Sequence, residues 1–227
     1  MKAFLYSLLA GTALLMGCAK DNVEPPSSTL TGRIVYQDQV LGLRSNGSTD
    51  LGNQTTMLEL WQRGYQLFTK IPVFVNQDGT FQAKLFDGNY KLVRSRGNGP
   101  WVDNTDSIDV QVRGNTVVDV PVTPYFTVTD AAFQRSGNTL TATCRVNRIV
   151  AGRDIDRVVL LISRTQFVDD SNALERNEKV GAAAVNLSQV QNLSVTIPSS
   201  ITGAVFARIG VKAAGVGQYV YSPVQKF

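Results

Sequence analysis

The amino-acid sequence predicts an all-β protein made of two β-sandwich domains. Three observations carry this expectation. Apolar and polar residues alternate in short runs over most of the chain, Gly-containing turn signals separate those runs, and Pro121 and Pro124 divide the alternating region into two halves of about 100 residues each. The 227 residues are 43% hydrophobic and 18% charged, which supplies real cores and too little charge for a disordered chain.

Residues 1–17 read as a signal peptide. Lys2 gives a positive start, and Ala3 to Met16 is apolar apart from Ser7 and Thr12, shorter than the ~20 residues of a membrane-spanning helix. The run ends in Leu15-Met16-Gly17-Cys18, which resembles a bacterial lipobox. That resemblance implies cleavage before Cys18 and acylation of it, so that lipid chains hold the protein on a membrane at ~0.8 kcal/mol per buried CH₂. The alternative is an ordinary cleaved signal with an incidental cysteine. Residues 18–28 form a tether, with Lys20, Asp21 and Glu24 followed by the stiff Pro25-Pro26-Ser27-Ser28. Lys20-Asp21 soon after Cys18 resembles the export signal of Bacteroidetes surface lipoproteins. It implies an outer-membrane, cell-surface location, with a periplasm-facing lipoprotein as the alternative.

The first sandwich is expected over 29–124. Leu30, Ile34 and Tyr36 share one face and Thr31 and Arg33 the other. Val73 and Val75 lead through Asn76-Gln77-Asp78-Gly79 into Phe81, Ala83 and Leu85, a hairpin signal. Asp87-Gly88 turns into Tyr90 and Leu92. Ile108, Val110 and Val112 turn at Arg113-Gly114-Asn115 into Val118, Val120 and Val122. Gln37 to Thr56 is a long polar loop between strands. The motifs Asp78-Gly79-Thr80-Phe81 and Gly88-Asn89-Tyr90, with the opening Leu30-Thr31-Gly32-Arg33-Ile34-Val35, resemble the carboxypeptidase-regulatory-like (transthyretin-like) sandwich. This resemblance speaks to fold and is nearly silent on function.

The second sandwich is expected over 125–227. Leu140 to Val146, Leu193 to Ile197 and Val205 to Ala213 alternate, the last with Phe206, Arg208, Gly210 and Lys212 on its other face. Val158 to Ile162 is continuously apolar, as in a central strand buried on both sides. Such a pattern suggests an immunoglobulin- or fibronectin-III-like sandwich. Asn172 to Val180 reads as a loop with a short helical excursion, Asn172 being a possible N-cap.

Lipobox, first sandwich and second sandwich together resemble a group of two-domain Bacteroidetes outer-membrane lipoproteins of unknown function associated with SusC/SusD-type nutrient importers. The segments Leu60-Trp61-Gln62-Arg63-Gly64-Tyr65, Gly97-Asn98-Gly99-Pro100-Trp101 and Val120-Pro121-Val122-Thr123-Pro124-Tyr125 carry that resemblance. It implies a role in the surface capture or handling of glycans, and it brings no catalytic residues with it.

The candidate ligand-binding residues are Trp101, Arg94, Arg96, Trp61 and Tyr65. Within Arg94 to Trp101 two guanidiniums, an amide and an indole fall in a Gly/Pro loop, a combination suited to stacking a sugar ring and bonding its hydroxyls. The competing reading is that Trp101 seals an end of the sandwich and the arginines are solvated. Trp61 is expected to face outward with Met57 and Glu59, near Tyr65, either as a sugar platform or packed under a neighbouring loop. Asp103, Asn104 and Asp106 have the spacing of a calcium loop without its Gly and Glu continuation, so no metal site is expected. Asp154, Asp156, Asp169 and Asp170 read as solvated charges, and Cys144 as an inert core thiol.

Composition narrows the function classes. The absence of histidine excludes Ser-His and Cys-His nucleophile pairs and histidine metal ligands, and two cysteines build neither a four-thiolate zinc site nor a disulfide framework. A formal net charge of +4, dispersed along the chain, argues against nucleic acid as a partner. An enzyme would have to work with carboxylates alone, yet there are fourteen Asp and four Glu, of which only Glu59 lies on an expected strand. The reading is therefore a non-catalytic surface protein without a cofactor that binds glycan or docks on an importer. A carboxylate-dependent enzyme and a structural or adhesin-type subunit are the alternatives. Replacing Cys18 by Ala is expected to release the protein from the outer-membrane pellet and the detergent phase; a variant that stays in both would overturn lipid anchoring.

Overall fold

The computed structural model describes residues 24–45, 56–64 and 68–227, and every named element among these is a β-strand. Cys18, Tyr65 and the 46–55 part of the polar loop lie outside the described residues.

The first sandwich contains β1 (Ser28–Tyr36), β2 (Gln39–Val40), β3 (Leu58–Trp61), β4 (Lys70–Val73), β5 (Thr80–Leu85), β6 (Gly88–Arg94), β7 (Ile108–Val112) and β8 (Asn115–Pro121). β1 is central in one sheet, antiparallel to β2 and β5 and parallel to β8. The facing sheet has the order β4-β3-β6-β7, antiparallel throughout. Period-two patterning decides what each sheet buries: Leu30 and Ile34 point into the core while Arg33 points out and pairs with Asp119 across β1 and β8 at 2.5 Å. The expected turns are present, but they do not close hairpins. Val75 and Phe81 make only an isolated bridge around Asp78-Gly79, and the links β4–β5, β5–β6 and β7–β8 each cross from one sheet to the other. A turn signal is local; which sheet accepts the next strand depends on the faces to be covered.

The second sandwich contains β9 (Phe126–Ser136), β10 (Thr139–Arg148), β11 (Ile155–Ser163), β12 (Glu175–Val180), β13 (Gln191–Thr196), β14 (Phe206–Ala213), β15 (Tyr219–Tyr221) and β16 (Gln225–Lys226). Its sheets run β13-β10-β9 and β12-β11-β14-β15, with β16 also beside β14. The β9–β10 register shifts between Thr143 and Arg145, where Asp130 adopts φ +52° and forms a bulge. Val158 to Ile162 is buried on both faces, as its composition requires. Val158, Leu160 and Ile162 join the main core, while Val159 and Leu161 pack with Val168, Tyr219 and Tyr221 under the loop that follows β11. Cys144 is fully buried, and burial pushes its thiol up to about 11, so it is an inert core residue.

Three local expectations are corrected. Glu175–Val180 is an edge strand paired to β11, with no helical turn; its side chains are mostly exposed, so no apolar alternation marks it. Met57 is buried, because it precedes β3 and does not follow that strand's alternation. Asp169 and Asp170 are structural: Asp169 caps the backbone N–H groups of Ser171 and Asn172, and Asp170 accepts the Tyr221 hydroxyl at 3.0 Å.

Strands β1–β8 pair among themselves, as do β9–β16, yet the buried apolar residues form one cluster that spans both sandwiches. Arg208 on β14 sits at the joint, 1% exposed. Its guanidinium donates to Ser222 O (2.7 Å) and Val168 O (3.4 Å) in its own domain, and to Leu43 O (2.9 Å) and Gln77 O (2.6 Å) in the first. The Tyr221 ring lies 4.5 Å beneath it. Burial pulls its pKa down to about 10, and it remains charged at neutral pH. Beside it Gly42 bridges Tyr221, whose N–H donates to Gly42 O at 2.9 Å; a Cβ on Gly42 would collide with the Tyr221 carbonyl. Arg208→Met, which keeps the stem but leaves these carbonyls without donors, is expected to cost about 3–5 kcal/mol. Thermal unfolding should show a Tm fall on the order of 10 °C, and a fall below about 2 °C would remove Arg208 as the fastener.

Candidate functional site

The structure separates the residues that the sequence grouped. Trp101 is 2% exposed and packs at the domain linker, bridging Pro124, with Tyr125 N–H donating to Pro100 O (3.1 Å) and Val102 N–H to Thr123 O (3.0 Å). Its ring covers Gly99, where any side chain would strike the indole. A buried ring offers no face to a sugar, so the expected Trp101 platform is replaced by a structural seal. Arg94 is 8% exposed and its guanidinium is spent on the carbonyls of Pro121 (2.9 Å) and Asp106 (3.0 Å). Its Nε is buried without an acceptor and is not offered to a ligand. Arg96 is exposed at the rim of an open hollow of about 650 Å³ shared with Asp103, Asn104 and Asp106. Asp103 and Asn104 there accept backbone N–H groups of Gly97 and Asp106, which accounts for their spacing as turn formers.

Trp61 does face outward from β3, half-buried, with its ring 5.1 Å from that of Phe68, which is 55% exposed. The same face carries the ion pairs Lys70–Glu59 (3.0 Å) and Lys91–Asp109. Among the described residues this charged surface carries one aromatic pair; its Glu59 shares a hollow with Arg96 and Asn98, while Trp101 stays in the core.

A deeper concavity lies between the sandwiches, a cleft of about 660 Å³. Such volumes are those of small-ligand sites, which favour domain interfaces. The first domain lines it with the β1–β2 turn and its flanks, including Tyr36, Gln37, Gln39 and Gln77; the second lines it with Thr127 and Thr129 of β9 and Asn147 of β10. Val128, Ile149 and Val220 supply apolar floor. Asn147 Nδ2 donates to both threonine hydroxyls, at 3.4 and 3.1 Å. Among the described residues Asp78 is the one carboxylate in the wall, and its Oδ1 is occupied by the Thr80 N–H and hydroxyl. Among the described residues no group of acids or cysteines could hold a metal ion. The arrangement can bind a polar, uncharged surface through amides and hydroxyls while packing its apolar side. None of these residues stood out in the sequence: Gln37 and Gln39 belong to a stretch whose only mark is polarity, and the threonines and Asn147 are the outward positions of ordinary alternating strands.

Residues 28–123 match the family model described as protein of unknown function (DUF3823), N-terminal domain, and residues 126–226 match DUF3823_C, a domain of unknown function. The chain belongs to the DUF3823 family. A DUF3823 protein from Parabacteroides merdae is 41% identical with a TM-score of 0.79, over 90% of this chain and 100% of that one. Another from Bacteroides ovatus is 36% identical with a TM-score of 0.77, over 88% and 97%. A Bacteroides uniformis protein for which carbohydrate binding has been suggested shares the fold at 19% identity, with a TM-score of 0.69 over 89% and 99%. No curated protein matches the chain. The resemblance seen in the sequence, to a two-domain family of unknown function, is thereby shown, and both DUF3823 domains are all-β.

The two tryptophans should respond differently to truncation. Trp101→Ala empties a sealed position and is expected to lower stability by about 3–5 kcal/mol in urea unfolding. Trp61→Ala, on the surface, should cost less than about 1 kcal/mol. Equal effects would contradict the assignment of one to the joint and the other to the face.

Proposed function

We propose that this DUF3823 protein is a non-catalytic, lipid-anchored outer-membrane protein that binds glycan at the cell surface, as an accessory to a SusC/SusD-type importer in polysaccharide utilisation. The observation that carries the binding role is the interdomain cleft, with amide and hydroxyl side chains over an apolar floor, the mix that sugar rings present in reverse. Anchoring through Cys18 rests on the lipobox resemblance. Suggested carbohydrate binding in the Bacteroides uniformis fold relative points the same way. A binding role also suits the cleft chemistry, since among the described residues its single carboxylate is engaged in a turn and a glycosidase needs two acting together. The soluble chain without its signal and Cys18, applied to a glycan array and to affinity gels of plant and host polysaccharides, is expected to be retained by at least one of them. Retention by none would overturn the glycan role.

A further inference from the structure

We propose that the interdomain cleft is the glycan site and that it takes a short, uncharged saccharide segment, gripped from one side by Gln37 and from the other by Asn147 and the hydroxyls of Thr127 and Thr129. This rests on the glycan-binding reading above and deepens it.

The first support is backbone strain. Among the described residues three non-glycine positions have clearly positive φ: Gln37 (+50°), Asp38 (+61°) and Asp130 (+52°). Gln37 and Asp38 form the two-residue β1–β2 turn, a place where glycine or asparagine is usual, and glutamine has no local reason to be there. Gln37 lines the cleft, and Asp130 adjoins Thr129 on the opposite wall. Of the three, Gln37 itself lines the cleft, so one strained side chain is held at its wall, where local cost is retained for what a side chain reaches. The bulge at Asp130 breaks the β9 alternation directly after Thr129 and re-aims the strand there.

The second support is charge. Arg208 lines the cleft but spends four of its five N–H groups on backbone carbonyls. An anionic sugar would therefore meet Asp78 with almost no guanidinium left to pair with. The amides and hydroxyls, by contrast, both donate and accept, as sugar hydroxyls do. The cleft volume of about 660 Å³ fits a few rings, and its walls belong to two domains locked by Arg208, so it takes a short segment between them where a long chain would lie across a flat face.

The test uses the full chain in detergent against neutral oligosaccharides of two to six units and against oligouronates and sulfated glycan fragments, by calorimetry. A neutral member is expected to bind. Gln37→Gly should weaken it about tenfold, the worth of one neutral hydrogen bond, while Tm holds or rises by up to about 3 °C because glycine relaxes the turn. Asp38, which shares the turn but does not line the cleft, should as Asp38→Gly hold or raise Tm with affinity unchanged. Asn147→Ala should also weaken binding about tenfold, and Thr129→Trp, a bulky group on an exposed wall position, should abolish it. Binding of acidic fragments alone would overturn the ligand class. Neutral binding that survives Thr129→Trp and Asn147→Ala but is lost in Trp61→Ala would overturn the site and leave the glycan role standing. Binding of nothing in either panel would overturn both.

Discussion

Arg208 belongs to β14 of the second sandwich, yet two of its hydrogen bonds end on carbonyls of the first, at Leu43 and Gln77. Taking a guanidinium out of water costs several kcal/mol, and among the described residues no carboxylate hydrogen-bonds to this one, Asp169 and Asp78 acting on it only through space. What offsets it is a set of charge-assisted bonds to carbonyls, roughly 1.5–3 kcal/mol each, that would themselves be orphaned if the arginine were absent. The charge and the carbonyls are mutually dependent. Each satisfies groups that neither domain could bury alone, so the joint holds in one arrangement.

The rest of the interface is arranged around that constraint. Gly42 lets the two backbones touch where a side chain would keep them apart, and Tyr221 lies both under the guanidinium and against Asp170. At the linker, Trp101 closes the space behind Pro124, and Arg153 stacks at 4.7 Å on Tyr125 while donating to Ala214 O. A joint sealed by an indole and two stacked arginines behaves as core, and this is why the buried cluster runs through both sandwiches. Rigidity of this kind has a use: it holds the two walls of the cleft at a set separation, as a site assembled from two domains requires.

Much of the fold was legible because it depends on local rules. Alternation placed Leu30, Ile34, Leu140, Cys144 and Ile209 inward, and the unbroken run at Val158 to Ile162 announced a strand covered twice. The candidate site was not legible. Trp101, Arg94 and Arg96 are attractive as a composition, but composition does not say that the loop folds onto the linker, where burial claims the first two. Conversely Gln37, Thr129 and Asn147 are unremarkable as letters and acquire meaning only when a turn and strands about 100 residues apart in sequence form opposite walls.

By itself the sequence determined the class of the protein: two all-β sandwiches of about 100 residues, and chemistry without histidine or a disulfide framework. These follow from period, turn residues and composition, all of which act over a few neighbouring positions. Tertiary structure alone decided which sheet each turn feeds, that Arg208 is buried, that Asp169 is a cap, and that Glu175–Val180 pairs at an edge. Those outcomes depend on what covers a face after the chain has returned to it from far away. An outward arginine on an alternating strand and a fully desolvated one are written with the same letter, and only the loop and the domain that close over it separate the two.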